Sequence, residues 1–132
     1  MTTRPGSVPV VAAVVTRSQG YLVCRRAAHK RHGGLWEFPG GKVMEGETHA
    51  DAIRRELLEE LELEAVAVGT VLFTAADEGA PFVIDFVQTD ARGTPVLHEH
   101  SDFGWFTAEE LLGLALAPAD ARFVTSLGGR QA

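Results

Sequence analysis

The run of residues 41–63, GKVMEGETHADAIRRELLEELEL, constrains the fold and the chemistry of this chain more than any other segment. It places Glu56, Glu59 and Glu60 at positions i, i+3 and i+4. If the segment is helical, these positions share one face of one turn, so the three carboxylates project together. Like charges at this spacing repel one another by roughly a few tenths of a kcal/mol per pair on an exposed helix.

This acidic face has two interpretations. It is either a solvated helix surface, which is the commoner meaning of a Glu-x-x-Glu-Glu pattern alone, or a set of hard oxygen ligands that divalent cations neutralise. Mg²⁺ typically binds through a few carboxylates together with substrate phosphates.

The helix itself has a clear start and a core-facing side. Thr48 is a suitable N-cap, and Asp51 follows it at a spacing close to that of a capping box. An apolar stripe predicts the buried face, and its members are Ala52, Ile53, Leu57, Leu58 and Leu61.

Charge and length exclude several classes of protein. The chain has 132 residues and a formal net charge of −6, so we expect one domain, with a core over about residues 8–127, that does not attract a nucleic-acid polymer. A phosphate-bearing substrate would need metal ions and local basic residues. Such residues precede the acidic run, and they are Arg25, Arg26, Lys30, Arg31 and Lys42.

Cysteine usage and the N-terminus indicate a compartment. Cys24, the single cysteine, lies in an apolar run, so we expect a core residue in a reducing cytoplasm rather than a nucleophile. The N-terminal segment lacks a signal-peptide pattern, and its apolar run is too short to span a membrane.

Strand and helix signals are mixed along the chain, which predicts an α/β fold with a mixed sheet between helices. Expected strands cover residues 8–15, 21–24, 35–38, 66–74, 82–88 and 103–106. Expected turns lie at 18–20 and 77–81, and residues 39–41 are expected to break the third strand. Thr107 predicts the cap of a helix through Leu112, and Pro118 opens a last helix to about Leu127.

The spacing of Gly41, Glu47, Arg55-Glu56-Leu57 and Glu59-Glu60 resembles the Nudix box of hydrolases that cleave a diphosphate linked to another group. The lead-in LWEFPGGK at 35–42 resembles MutT-type proteins. The segments HEH at 98–100, WF at 105–106 and LAPAD at 116–120 are similar to bacterial CTP pyrophosphohydrolases of the same superfamily. The resemblance implies the Nudix fold, a mixed β-sheet sandwiched between α-helices, and it favours the metal site over the solvated face.

The resemblance also implies roles for the box residues. Glu56, Glu59 and Glu60 would bind Mg²⁺ or Mn²⁺, with the carbonyl of Gly40 completing a site. Two further box residues would act in support: Arg55 would orient one of the carboxylates, and Glu47 would support the loop or a metal-bound water.

The general base has two candidates, which are a box glutamate and Glu99, the match to a distant-loop glutamate of MutT-type proteins. We expect His98 and His100, on either side of Glu99, to be ordinary loop residues.

Substrate contacts are less specific. Asp120 lies where MutT-like proteins place a base-reading polar residue, although the first turn of a helix favours aspartate anyway. Trp36 and Phe38 would stack on a base or belong to the core. Lys42 and Arg25 would contact phosphate or form surface ion pairs.

One position departs from the family pattern, because Glu62 stands where glycine is usual. Glycine suits a left-handed helix end, and glutamate in that conformation costs about 1 kcal/mol. We expect either a strained cap or a helix that runs on or ends by another route.

The implied activity is a Mg²⁺- or Mn²⁺-dependent nucleoside triphosphate pyrophosphohydrolase that releases a nucleoside monophosphate and pyrophosphate. Its substrate would be a modified or oxidised nucleotide such as 8-oxo-dGTP, or a cytidine nucleotide. The alternatives are hydrolysis of a dinucleoside polyphosphate or nucleotide sugar, and a non-catalytic nucleotide-sensing module, which the intact box acids disfavour. We expect a monomer or homodimer that binds neither nucleic-acid polymers nor membranes.

Overall fold

The computed structural model describes residues 7–18, 20–77 and 79–130, without the side chains of 129 and 130. Its strands are β1 (Val8–Arg17), β2 (Gly20–Arg25), β3 (Trp36–Glu37), β4 (Gly40–Lys42), β5 (Glu64–Ala76), β6 (Phe82–Arg92) and β7 (Asp102–Phe106). Its helices are α1 (His49–Leu61), α2 (Ala108–Leu111) and α3 (Pro118–Arg130). None of the helices in these segments is long and apolar enough to cross a membrane.

β1 is the central strand of a mixed sheet with the order β3-β2-β1-β6-β5. β1 and β6 run parallel, from Val8 opposite Phe82 to Val15 opposite Thr89. On its other side β1 pairs antiparallel first with β4 and, near its end, with β2, while β7 pairs with β2. β4, the strand that leads to α1, is therefore held against the central strand β1.

The two faces of β1 build two separate cores. Val11, Ala13 and Val15 pack on the side of α1, whereas Ala12 and Val14 pack on the side of α3. This is the alternation expected of an extended strand. The sheet lies between helices, as the sequence predicted.

α1 begins as expected, but its buried face differs by two residues from the prediction. Thr48 and Asp51 form a complete capping box, with both hydrogen bonds at 3.1 Å. Leu58 is 61% exposed, so its assignment to the core was wrong, and Glu60 is buried instead. The reason is geometric: Glu60 follows Leu57 by three residues and shares its face, while Leu58 is rotated from Leu57 by about 100°.

α1 ends at Glu62 in the left-handed conformation, with φ 55° and ψ 34°. Its N–H donates to the carbonyls of Leu57 and Leu58. The expected strained cap is therefore present, and the helix does not run on.

The remaining differences concern strand ends and glycines. β1, β5 and β6 are longer than predicted and β3 is shorter, while α2 ends one residue early and α3 runs to Arg130. β4 was missed because its glycines disfavour a strand. Glycine is required there, since a Cβ at Gly40 would lie 2.0 Å from the carbonyl oxygen of Val11. The predicted turns at 18–20 and 77–81 include Gln19 and Glu78, which lie outside the described residues.

Candidate active site

A cavity of about 270 Å³ opens beside β1 and β4. It brings together six of the predicted site residues from distant parts of the chain, which are Phe38, Gly40, Lys42, Glu60, Glu99 and Asp120. The cavity has an acidic end at Glu60 and a mainly apolar end at Asp120, where Phe82, Ile84, Ala117 and Ala119 form the wall.

The acidic end concentrates negative charge in a buried place. Glu60 is only 7% exposed, and its Oε1 accepts a hydrogen bond of 3.3 Å from the N–H of Gly40. Burial, together with the smaller effects of the charges of Glu56, Glu37 and Glu99, raises the pKa of Glu60 to about 9. Burial also raises the pKa of Glu56. Without a cation, this end of the cavity therefore holds its protons tightly.

Gly41 makes room for one of these carboxylates. A Cβ at this position would lie 1.9 Å from Oε2 of Glu56. The side chain of Glu56 therefore explains why residue 41 is glycine, since any other residue there would displace this carboxylate.

Arg55 ties the box loop to α1. Its guanidinium donates to both oxygens of Glu47, at 2.7 and 2.9 Å, and to the carbonyl of Lys42 at 3.0 Å. It also lies 3.3 Å from Oε2 of Glu56 and 3.4 Å from Oε1 of Glu59. The bond from Arg55, followed by that from the Met44 N–H, lowers the pKa of Glu47 to about 2. Glu47 is therefore a fixed anion.

The three predicted ligands do not share one environment. The side chain of Glu59 is 56% exposed, whereas that of Glu56 is 13% exposed, but both carboxylates contact Nη1 of Arg55, as expected of residues on one face of the helix. Among the described residues no three His, Cys, Asp or Glu side chains are arranged to hold an ion as they stand. The donor set nevertheless fits a hard divalent cation, because Glu56 and Glu60 are adjacent carboxyl groups whose pKa values are both raised by desolvation, and the charge of Glu56 also raises the pKa of Glu60.

At the other end of the cavity, Asp120 is a buried acid. It is 5% exposed, and its Oδ2 accepts a hydrogen bond of 2.9 Å from the N–H of Phe38. Burial raises the pKa of Asp120 to about 8, and the charge of Glu37 adds to this shift. Near neutral pH the carboxyl group is therefore mainly protonated, with one hydroxyl to donate.

Between the two ends lies a charged network that the sequence analysis missed. Arg26 Nη1 donates to both oxygens of Glu37 at 3.0 Å, and His100 Nε2 lies 2.9 Å from Oε2 of the same carboxylate. The side chain of His100 is 6% exposed, so it is not the ordinary loop histidine that was expected. The available signal was a charged residue between two large aromatic residues, Trp36 and Phe38, in a short strand.

Both aromatic candidates pack against other rings. The ring of Phe38 packs into the core with its centroid 5.3 Å from that of Phe123, and the residue is 3% exposed although it contributes to the cavity wall, so the structure favours the core alternative over stacking on a base. The ring of Trp36 meets Phe106 edge-on at 5.6 Å, and Trp36 is not part of the cavity wall. Phe38 contributes its backbone N–H instead.

The prediction also gave Arg25 a possible contact with phosphate, but the structure places this residue outside the cavity wall. Its Nε donates to the carbonyl of Gly34 at 3.0 Å, and it lies outside the cavity wall, which contains Arg26. Because successive strand residues point to opposite faces, an error of one residue exchanges the cavity for the surface. Lys42 does line the cavity, with Nζ 5.4 Å from the centroid of the Phe82 ring.

Glu99 lies at the rim of the acidic end. It is half-exposed, and its Oε1 forms an ion pair of 3.7 Å with Nζ of Lys30. Its charge raises the pKa of Glu60, so the two carboxylates are near each other. The structure thus brings the distant-loop glutamate to the box glutamates, as its candidate role requires.

With this geometry in place, comparison with known proteins identifies the class. Residues 6–127 match the family described as the NUDIX domain, and the chain belongs to this family. It is similar to a CTP pyrophosphohydrolase of Escherichia coli (strain K12), with 40% identity over 116 residues that cover 86% of this chain and 85% of the relative. The expected Nudix hydrolase is therefore confirmed.

Two further similarities extend this result. An oxidized purine nucleoside triphosphate hydrolase of Mus musculus is 36% identical over 94 residues, covering 67% of this chain and 59% of the relative. The solution structure of the E. coli ORF135 protein superposes with a TM-score of 0.80 at 36% identity, covering 96% of this chain and 91% of that one. The fold class predicted from the sequence is confirmed.

Proposed function

We propose that this protein is a divalent-metal-dependent nucleoside triphosphate pyrophosphohydrolase that converts a triphosphate and water into a nucleoside monophosphate and pyrophosphate. One observation carries the proposal. A single cavity has buried, mutually repelling carboxyl groups at one end and one buried hydrogen-bonding acid in an apolar wall at the other. That polarity matches a nucleotide, which has a phosphate chain at one end and a base at the other.

The acidic end is the metal and phosphate subsite in this proposal. Glu56, Glu59 and Glu60, with the carbonyl of Gly40, would hold Mg²⁺ or Mn²⁺. Bound there, the cation would neutralise the phosphate chain, activate water and stabilise the leaving group. Arg55 would orient Glu56 and Glu59 through its two contacts with them.

Basic side chains at the cavity wall complete the phosphate subsite. Lys42, Lys30 and Arg26 line the cavity and would attract a polyphosphate to a protein whose net charge is −6. That overall charge and the buried Cys24 support a cytoplasmic enzyme that acts on free nucleotides rather than on a nucleic-acid polymer.

Glu99 is our candidate for the general base. It is half-exposed at the rim, close enough to raise the pKa of Glu60, and available to accept a proton from the attacking water. A box glutamate is the alternative base, and Glu60 suits that role less well because it is buried and would bind the cation.

Asp120 would read the base. Its carboxyl group accepts hydrogen bonds from the N–H of Phe38 and from its own backbone N–H, and it lines the cavity. As a protonated acid it would donate to a ring nitrogen or carbonyl, and as a carboxylate it would accept from an exocyclic amino group. The names of the two relatives support two substrate classes, cytidine triphosphates and oxidised purine triphosphates.

The test is pyrophosphate release by the purified protein with Mg²⁺ across a nucleotide panel. The panel contains CTP, dCTP, 5-methyl-dCTP, 8-oxo-dGTP, dGTP, dATP, ADP-ribose and a dinucleoside polyphosphate. We expect selective release from one triphosphate and none with the Glu60→Gln variant. Turnover of only ADP-ribose or the dinucleoside polyphosphate would assign another diphosphate substrate, and nucleotide binding without turnover would indicate a sensing module.

A further inference from the structure

The loop between β6 and β7 carries Glu99 with a histidine on each side. His98 Nε2 lies 2.5 Å from Oε2 of Glu62, at the end of α1. His100 Nε2 lies 2.9 Å from Oε2 of Glu37, on β3. The two residues next to the candidate base are therefore bonded to two different elements, of which one carries the box glutamates and the other leads into Gly40.

The backbone of the same loop is attached at two further points. The N–H of Val96 donates to the carbonyl of Leu61 at 2.9 Å, and the N–H of Ser101 donates to the carbonyl of Arg25 at 2.9 Å. The histidine contacts fall between these two attachments. Glu99 itself has a weaker hold, since its ion pair with Lys30 measures 3.7 Å and its side chain is 51% exposed. The position of Glu99 is therefore set by the attachments of the residues on either side of it.

We propose that His98 and His100 are positioning residues that fix Glu99 beside the acidic end of the cavity, with Glu62 and Glu37 as their anchors. This inference rests on the proposed function, in which Glu99 is the general base. A base acts only within hydrogen-bond reach of the water it deprotonates. A loop anchored on both sides of the glutamate keeps that distance, whereas a loop anchored on one side lets the carboxylate swing.

The contact with His98 also accounts for the unusual cap of α1. Glu62 occupies a left-handed conformation that glycine adopts at no steric cost. Glycine at this position would relieve the strain but would provide no carboxylate for His98. Strain that persists next to a reacting group is commonly linked to function.

The anchor at Glu37 can be removed without leaving a charge unpaired. Arg26 Nη1 already bonds both oxygens of Glu37 at 3.0 Å, so loss of the imidazole leaves the carboxylate with a partner. A change in activity on substitution of His100 is therefore not due to an unpaired buried anion, and because His100 also lines the cavity, the exchange rate of the loop is measured beside the activity.

The decisive variant is Glu62→Gly, measured for kcat, KM and thermal unfolding. Because glycine favours the cap conformation, the unfolding midpoint should stay equal or rise. The lost anchor should lower kcat about threefold, the scale of an exposed ion pair, with KM unchanged. The matched control is Glu64→Ala, which breaks the exposed ion pair with Arg92 and should leave kcat as it is.

At the buried anchor, His100→Ala should lower kcat about tenfold or more, since a buried bond to a carboxylate is stronger than an exposed one. His100→Gln retains a donor for Glu37 and should restore most of the loss. Failure of glutamine to restore kcat, with the fold intact, would contradict an anchoring role for this side chain.

A second readout does not depend on catalysis. Amide hydrogen exchange over residues 96–101, measured without metal or nucleotide, should be faster in Glu62→Gly and in His100→Ala than in the wild type. Wild-type exchange and wild-type kcat in Glu62→Gly would overturn the proposal, as would a Glu99→Gln variant with wild-type kcat. If the wild type hydrolyses no nucleotide, the proposed function fails, and the exchange rates still decide whether the loop is anchored.

Discussion

Two buried acids face the same cavity from opposite sides of the sheet, Glu60 on α1 and Asp120 on α3. Burial is the largest cause of a raised pKa in both. Both accept a hydrogen bond from a backbone N–H, and the charge of Glu37 raises the pKa of both. They differ in their other neighbours: Glu56, on the same helix, is the largest of the charges that raise the pKa of Glu60, whereas the wall beside Asp120 is mainly apolar. The same burial therefore has two uses: crowded carboxyl groups form a site that a cation completes, and an acid in apolar surroundings remains neutral as a hydrogen-bonding group.

The largest expected effect is the loss of activity when a glutamate at the acidic end loses its charge. Glu60→Gln removes a metal-binding charge without changing the shape of the side chain, and kcat should fall by about a thousandfold, since metal stabilisation of transition-state charge amounts to several kcal/mol. Glu59→Gln should also lower kcat by orders of magnitude with the fold intact. Steady-state rates and a Mg²⁺ titration measure both, and near-wild-type activity with unchanged metal dependence would contradict the ligand set.

Gly41→Ala tests the same end without altering a charge. The new Cβ would meet Oε2 of Glu56 at 1.9 Å, so the carboxylate must move. A misplacement of this order is expected to lower kcat/KM by about a hundredfold. Gly69→Ala is the control, because its Cβ would have its nearest neighbour at 3.4 Å on a strand far from the site. Equal activity of the two variants would show that the position of Glu56 is not critical.

Asp120→Asn tests the other end. Asparagine has the shape of aspartate and a fixed donor and acceptor, so kcat should stay measurable while the preference between CTP and 8-oxo-dGTP changes by about tenfold, the lower end of a base-edge contact. The measurement is the ratio of kcat/KM for the two nucleotides. An unchanged ratio would remove Asp120 from base recognition and leave it as a buried structural acid.

The last prediction concerns stability and pH. The pKa of Asp120 is raised in the folded state to about 8 from an ordinary 3.8, so the folded protein binds the proton more tightly. Its contribution to stability is therefore full below about pH 4 and is lost as the pH rises toward 8, at up to about 1.4 kcal/mol per pH unit.

Urea unfolding at pH 5 and pH 7.5 in wild type and Asp120→Asn measures this slope. The variant keeps every other titrating group, so the difference between the two proteins isolates Asp120. A wild type that gains stability over the variant as the pH rises would contradict the direction of the shift.

The elements of the fold followed largely from local signals. The apolar, valine-rich run of β1 and the cap residues at Thr48 and Asp51 were both sufficient for correct predictions, because each depends on residues close together in the sequence. β4 was not predictable in this way. Its glycines have a weak local preference for a strand, and they are used because the neighbouring backbone of β1 leaves no room for a Cβ.

Parts of the candidate site were accessible from the sequence for a different reason. The box residues stand at a spacing that a helix and one preceding loop bring together, and Arg55 does contact Glu47 and two of the box glutamates. The network of Arg26, Glu37 and His100 was missed, because its members come from three separate segments and meet only after the sheet has formed.

The sequence by itself determined the α/β class, the acidic helix with its cap, and the set of carboxylates available to a cation. Only the tertiary structure decided how each carboxylate is used. Glu59 faces solvent, Glu60 is buried, and Asp120 lies in an apolar wall across the cavity. The physical reason is that spacing along the chain fixes which side chains share an element. The burial and neighbouring charges that set their protonation depend on packing against residues distant in the sequence.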